Sequence, residues 1–145
     1  ADRSVPENYP VDGEVKLGEE NLAELLYFYE KAYPENAFDP RMLELEDAYT
    51  GLMREGGLVA VAGVHVLAPA RGVASLGNIT VHPDWRGRGL GKQVTASICQ
   101  KIAARAHKVI GLNVASDNEP AIRTYRALGF EEIVGFHEFH STRRV

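Results

Sequence analysis

The sequence predicts a mixed α/β fold in a single domain, and three observations carry that prediction. Its length of 145 residues fits one ordinary domain, against a prior of roughly 100–200 residues per domain. Apolar residues recur with helical spacing in some stretches and in short near-continuous runs in others. These segments follow one another roughly as β-α-α-β-β-β-α-β-α-β, an order in which strands and helices share one core.

Each element has a local reason. Glu14 to Leu17 forms a short strand. Leu22, Leu25, Leu26, Tyr29 and Tyr33 then recur at helical intervals, which predicts an amphipathic helix ended by Pro34. Asp39 is a good N-cap and Pro40 a good first helical residue, so a second short helix follows. Gly56-Gly57 separates two strands, around 49–54 and 58–66, as a tight hairpin turn. The second of these, LVAVAGVHV, is apolar on both faces except at His65 and is expected to be central. APARG turns the chain into a strand over 73–81, stopped by Pro83. Leu90, Val94, Ile98 and Ile102 stack at i+4 intervals along a long helix. VIGLNVA, residues 109–115, is the next strand. Asn118 caps a further helix with Pro120 in its first turn. Ala121, Ile122, Tyr125 and Leu128 form its apolar side, and Gly129 ends it. Residues 130–139 supply one or two closing strands.

Composition narrows the function classes. Hydrophobic residues make up 45% and charged residues 25%, ordinary for a globular protein. Net charge is −4, so the basic excess of a nucleic-acid binder is missing. Cys99 is the single cysteine, which excludes an intramolecular disulfide and fits a reducing, cytoplasmic setting. No apolar run approaches the roughly 20 residues that span a bilayer. Residues 1–12 read as a polar tail or linker without the blocks of a signal peptide, and residues 13–145 as the domain. The missing initiator methionine suits a piece of a longer chain.

The sharpest chemical signal is a strand, then His82-Pro83-Asp84-Trp85, then Arg86-Gly87-Arg88-Gly89-Leu90-Gly91-Lys92, then a helix. A glycine-rich turn entering a helix N-terminus is an anion site, because backbone amides approach closely and the helix dipole adds positive potential. Arg86, Arg88 and Lys92 add formal charge. The Walker pattern fails at Arg86 and Gln93, and the dinucleotide pattern fails at Lys92 or Val94. A bare turn with solvated arginines is the plainer reading, which three glycines and three cations in seven residues disfavour.

These residues resemble the GNAT N-acetyltransferase superfamily. Its phosphate motif, [Q/R]-x-x-G-x-[G/A], is matched by Arg86, Gly89 and Gly91. A second match follows at the proper distance in LNVASDNEPAIRTYRALGF, through Asn118, Ala121, Ile122, Tyr125, Leu128, Gly129 and Phe130. The matched region spans about residues 73–139. The wording looks most like the branch near glycine N-acyltransferase, where such a domain often ends a longer chain.

The resemblance implies a splayed mixed sheet flanked by helices, with acetyl-CoA or another acyl-CoA as co-substrate and no metal. It implies that Ile79, Thr80 and Val81 line the splay against Leu112 to Ala115, and that their backbone groups pair with the pantetheine arm. The pyrophosphate would rest on the amides of Arg86, Gly87, Arg88, Gly89, Leu90 and Gly91, beside Lys92, and Asn118 would bond the pantetheine region. The acceptor would be a small amine or a peptide N-terminus entering from the side of the first two helices. It attacks the thioester directly in a ternary complex. Tyr125 occupies the family position that protonates the leaving thiolate, where the plain alternative is a core tyrosine. Relatives often carry a carboxylate base on the strand before the loop, and VASLGNITV has none. His65 or a water chain is the candidate in its place, with a hydrogen-bonded core residue as the ordinary reading of the histidine. His82 reads as structural, Cys99 as an inert helix residue, and His137 with His140 as a pair pointing to opposite strand faces. A non-catalytic acyl-CoA-binding module of the same fold is the second reading, and a nucleotide binder using RGRGLGK the third. A homodimer is compatible with the sequence, and neither nucleic acid nor membrane is expected as a partner.

Overall fold

The computed structural model describes residues 11–36, 38–45, 47–68, 73–104, 109–115, 117–133 and 138–144. The strands are β1 (Glu14–Leu17), β2 (Tyr49–Arg54), β3 (Gly57–Ala68), β4 (Val73–Val81), β5 (Val109–Ala115), β6 (Glu131–Ile133) and β7 (Glu138–Arg144). They form one sheet in the order β1-β2-β3-β4-β5-β7-β6. The helices are α1 (Leu22–Ala32), α2 (Leu90–Ala104) and α3 (Glu119–Ala127). The expected element order holds, with two closing strands.

Every neighbouring pair is antiparallel except β4 and β5, which are parallel because α2 carries the chain between them. That pair is registered only from Val73↔Val109 to Leu76↔Leu112. Beyond Leu76, β4 continues to Val81 against β3, and beyond Leu112, β5 continues to Ala115 against β7. The two parallel strands therefore part, and a split opens in the middle of the sheet.

Each face of the sheet has its own core. On one face α2 and α3 bury Leu90, Val94, Ile98, Ile102, Ile122, Tyr125 and Leu128 against Ala60, Ala62, Leu76, Ile110, Leu112 and Val114. On the other, α1 and the turn over Pro40–Glu44 bury Leu25, Phe28, Tyr29 and Leu43 against Tyr49, Leu58 and Val61. A polar bridge ties α2 to the edge of the sheet: the Lys101 ammonium lies 3.1 Å from Glu14 Oε1 and donates to Thr50 Oγ1 at 2.9 Å. Thr50 Oγ1 also lies 3.2 Å from Ser97 Oγ, so these buried hydroxyls are satisfied.

Three sequence expectations are corrected. The buried stripe of α1 is Leu25, Phe28, Tyr29 and Ala32, whereas Leu26 and Tyr33 are 47% and 40% exposed. Both patterns have helical spacing, and the sheet beneath selects the one that includes Phe28. The short second helix is a 3₁₀ turn over Pro40–Glu44, with Asp39 accepting from the Arg41 N–H at 2.8 Å; five residues make 3₁₀ geometry natural. The hairpin turns on Glu55 and Gly56, both at positive φ (51° and 79°), and Gly57 opens β3 opposite Arg54. Two consecutive positive φ values match the twist of the flanking strands. The central position expected for β3 holds: it lies between β2 and β4 with 58–64 buried. The APARG turn falls mostly outside the described residues, as does His137.

Candidate active site

The split exposes backbone groups on β4 in a definite direction. His82 N–H donates to the Val59 carbonyl at 2.8 Å, and Thr80 pairs with Val61, so both face β3. By strand alternation the N–H and C=O of Val81 and the carbonyl of Ile79 turn the other way, toward the side that β5 has left. The Val81 carbonyl accepts from Arg86 Nε at 3.1 Å, which agrees with this direction. The side chains of Ile79 and Val81 are half-buried against the α2 core, while the Thr80 side chain is buried.

The loop after β4 begins with a cap. Nδ1 of His82 accepts from the Asp84 N–H at 3.1 Å, closing a 3₁₀ turn over Pro83–Trp85. His82 is therefore structural. Arg88 lays its guanidinium over the Trp85 ring, 4.5 Å from the centroid, and Arg86 is anchored on β4. Gly87 and Gly89 both have φ of +78°, a left-handed conformation that side chains rarely adopt. An added Cβ at either would meet no protein atom within 4 Å, so backbone conformation, not packing, selects glycine there. The first bond into α2 runs from Gln93 N–H to the Gly89 carbonyl at 3.1 Å. Among the described residues, the N–H groups from Gly87 to Gly91 donate to no protein acceptor. A run of free amides at the head of a fifteen-residue helix, flanked by cations, fits a diphosphate.

Tyr125 is buried on α3 beside Phe130, with ring centroids 5.9 Å apart in an edge-on arrangement. Burial pushes its pKa up to about 12, and the neighbouring Cys99 adds to the shift. It belongs to the same core as Leu90, Leu112 and Val114, against which Ile79 and Val81 pack. The phenol thus shares a face with the loop and the split. Asn118 caps α3: its Oδ1 accepts from Ala121 N–H at 3.3 Å, which leaves its Nδ2 hydrogens as the donors open to a ligand.

His65 stands apart from this group. It is the extra residue of a β-bulge, since Val64 pairs with Leu76 and Val66 with Ser75. It is exposed, and its imidazole covers Gly77. Gly77 pairs with Gly63, whose open side is covered by the Tyr49 ring, so His65 lies on the α1 face of the sheet. Gly77 is also the first residue of β4 beyond its pairing with β5.

One element of the site escapes the sequence reading. Asn78 has φ of +54° within β4, and Ile79 with Asn78 forms a second bulge, between the pairs Val61↔Thr80 and Gly63↔Gly77. Its carbonyl accepts from the Tyr29 hydroxyl at 2.7 Å, and its side-chain Nδ2 donates to the Tyr49 hydroxyl at 3.1 Å. The signal was the Gly77-Asn78 pair inside a strand, two residues that strands otherwise avoid and bulges favour.

A sheet split between two parallel strands, continued by a free-amide loop into a helix, defines an acyl-CoA-binding architecture, and the comparisons agree. The model of the Acetyltransferase (GNAT) family matches residues 17–130, and the chain belongs to that family. Among solved structures, it resembles a putative acetyltransferase of the GNAT family from Novosphingobium aromaticivorans, with a TM-score of 0.75 and 27% identity, covering 95% of this chain and 58% of that one. It also shares its fold with the ribosomal-protein-S18-alanine N-acetyltransferase from Escherichia coli, with a TM-score of 0.73 and 21% identity over 91% of this chain and 92% of that one. A mycothiol acetyltransferase from Tsukamurella paurometabola is 35% identical over 86 residues, which is 59% of this chain and 28% of that protein. The chain thus spans under a third of the curated relatives that it matches first.

Proposed function

We propose that residues 13–145 form an N-acetyltransferase domain that moves an acetyl or short acyl group from acyl-CoA to an amine, with residues 1–12 as a tail. The observation that carries this reading is the continuity of the site: the freed edge of β4, the amides of residues 87–91 and the buried phenol of Tyr125 lie along one core. The co-substrate supplies a thioester-activated acyl group. The loop amides, with Arg86, Arg88 and Lys92, hold its phosphates. The backbone of Ile79 and Val81 pairs with its amide arm, Thr80 keeps the strand on β3, and Asn118 Nδ2 donates to the arm from the other side. The acceptor is a small amine or a peptide N-terminus that approaches from the α1 face.

Three chain groups then act on protons and charge. The Ile79 N–H, aimed toward the sheet face that carries Tyr125, donates to the carbonyl oxygen as negative charge grows there. Tyr125 keeps its proton at neutral pH and gives it to the departing sulfur. The acceptor must lose a proton first, since a lysine-like amine has a pKa of about 10.4. No acid on β4 is available for this, so the proton leaves to solvent on the α1 face, where His65 assists. The single cysteine accords with a cytoplasmic setting, and among the described residues no helix is long and apolar enough to cross a membrane.

The test is thiol release from acetyl-CoA by the purified chain, across a panel of amino acids, polyamines and peptide N-termini, with ATP as competitor. Amine-dependent release that ATP leaves unchanged is expected. Tight CoA binding with no release for any amine would favour a binding module, for which the missing carboxylate on β4 is the supporting observation.

A further inference from the structure

We propose that Tyr29 is a positioning residue for acyl transfer: its hydroxyl fixes the Asn78–Ile79 peptide plane and thereby aims the Ile79 N–H toward the sheet face that carries Tyr125. The inference rests on the acyltransferase reading and adds a device on the opposite face of the sheet.

In a trans peptide the C=O of one residue and the N–H of the next point in opposite directions. The Asn78 carbonyl is held by the Tyr29 hydroxyl at 2.7 Å, from α1. The N–H of the same peptide, which belongs to Ile79, therefore points away from α1, toward the sheet face that carries Tyr125. Fixing one end of the plane fixes the other.

The position needs fixing. Asn78 is left-handed, at φ +54°, in a stretch where the β3 ladder skips two residues of β4. The regular register with β3 is broken at this peptide, and β5 has already departed at Leu76. Three side-chain contacts hold it. Tyr29 holds the carbonyl, Thr80 Oγ1 approaches it at 3.4 Å, and the Tyr49 hydroxyl receives the Asn78 amide at 3.1 Å. Tyr29 is buried, stacked on Phe38 at 5.6 Å and edge-on to Phe28 at 5.4 Å, so its hydroxyl has little freedom. Burial keeps it protonated and thus a permanent donor. An apolar helix face alone would be served by phenylalanine at this position. The hydroxyl is explained by the carbonyl that it meets.

Three substitutions separate positioning from bulk stability. Tyr29→Phe keeps the ring and its stacking but releases the carbonyl. Asn78→Gly adopts the left-handed conformation freely and keeps the carbonyl for Tyr29, while Asn78→Ala strains that conformation. Steady-state kinetics with a good acceptor, together with CoA titration, is the experiment. Tyr29→Phe should lower kcat by roughly 3–30-fold, less than the loss of a whole oxyanion donor, with CoA affinity within about twofold because the loop over 86–91 is untouched. Asn78→Gly and Asn78→Ala both lose the amide to Tyr49, but only glycine keeps the left-handed conformation without strain, so kcat should fall less in Asn78→Gly than in Asn78→Ala, by roughly threefold or more. Wild-type kcat in folded Tyr29→Phe overturns the proposal, as does an Asn78→Gly variant no better than Asn78→Ala, or CoA affinity that falls in step with kcat. If Tyr29→Phe does not fold, the Asn78 pair decides alone. If the wild-type chain binds CoA but transfers nothing, the acyltransferase reading fails instead. Amide hydrogen exchange over 77–81 then still reads the latch, with faster exchange in Tyr29→Phe supporting it and equal exchange refuting it.

Discussion

At the residue scale, two side chains on opposite faces of the sheet carry different expectations. Tyr125→Phe keeps the ring against Phe130 and removes only the donor. We expect kcat to fall roughly 10–10³-fold with CoA affinity little changed, because protonating the leaving group matters only on the way to the transition state. Steady-state kinetics beside a CoA titration checks this, and an unchanged kcat returns Tyr125 to the core. Its raised pKa has a sign that can be tested. The folded value, about 12, lies above the ordinary tyrosine value of about 10, so folding favours the neutral phenol. The associated stability is fully present below about pH 10 and is lost as pH climbs toward about 12. Alkaline unfolding should therefore be shallower in Tyr125→Phe, and no alkaline limb of kcat below about pH 10 should belong to Tyr125. His65 is exposed over Gly77, where solvent can replace it. His65→Ala should lower kcat by less than about tenfold, whereas an essential general base contributes 10²–10⁴-fold.

At the scale of elements, the loop into α2 is the piece whose conformation is most specified. Gly89→Val places a β-branched side chain at φ +78°, but in open space. The fold should survive while the loop leaves its left-handed conformation, and the amides of 89–91 lose their common direction. We expect calorimetric titration of the folded variant to show no measurable CoA binding; unchanged affinity would put the phosphates elsewhere. This loop was legible because its chemistry is local: glycines, cations and a helix start lie within seven residues. α3 was legible for the same reason, with Asn118, Ile122, Tyr125 and Gly129 each in its expected place. The buried stripe of α1 was not, because Leu26 and Phe28 offer competing helical patterns and only the sheet decides between them. The Asn78 bulge was legible only as a Gly-Asn pair, and its partners Tyr29 and Tyr49 lie 49 and 29 residues away in sequence.

At the scale of the whole molecule, strand order and the split are non-local and came from resemblance, not from periodicity. The agreement extends further than the quoted motifs, since the family match begins at residue 17. A ligand that binds only the folded chain stabilises all of it by mass action, by about 2.7 kcal/mol at a hundredfold excess over Kd. Acetyl-CoA at that excess should raise Tm by several degrees, with ATP at equal concentration leaving it unchanged; calorimetric melting reads both. The sheet order carries one more consequence. β7 occupies the slot between β5 and β6, pairing with β5 along all seven residues from Val109↔Arg144 to Ala115↔Glu138. During synthesis, β5 and β6 emerge before the strand that joins them. Until residues 138–144 clear the ribosome, the far edge of β5 offers unpaired N–H and C=O groups to any strand nearby. The nascent chain is thus most vulnerable to edge-to-edge aggregation just before its sheet closes, and a stalled or truncated product lacking β7 would be a client for chaperones.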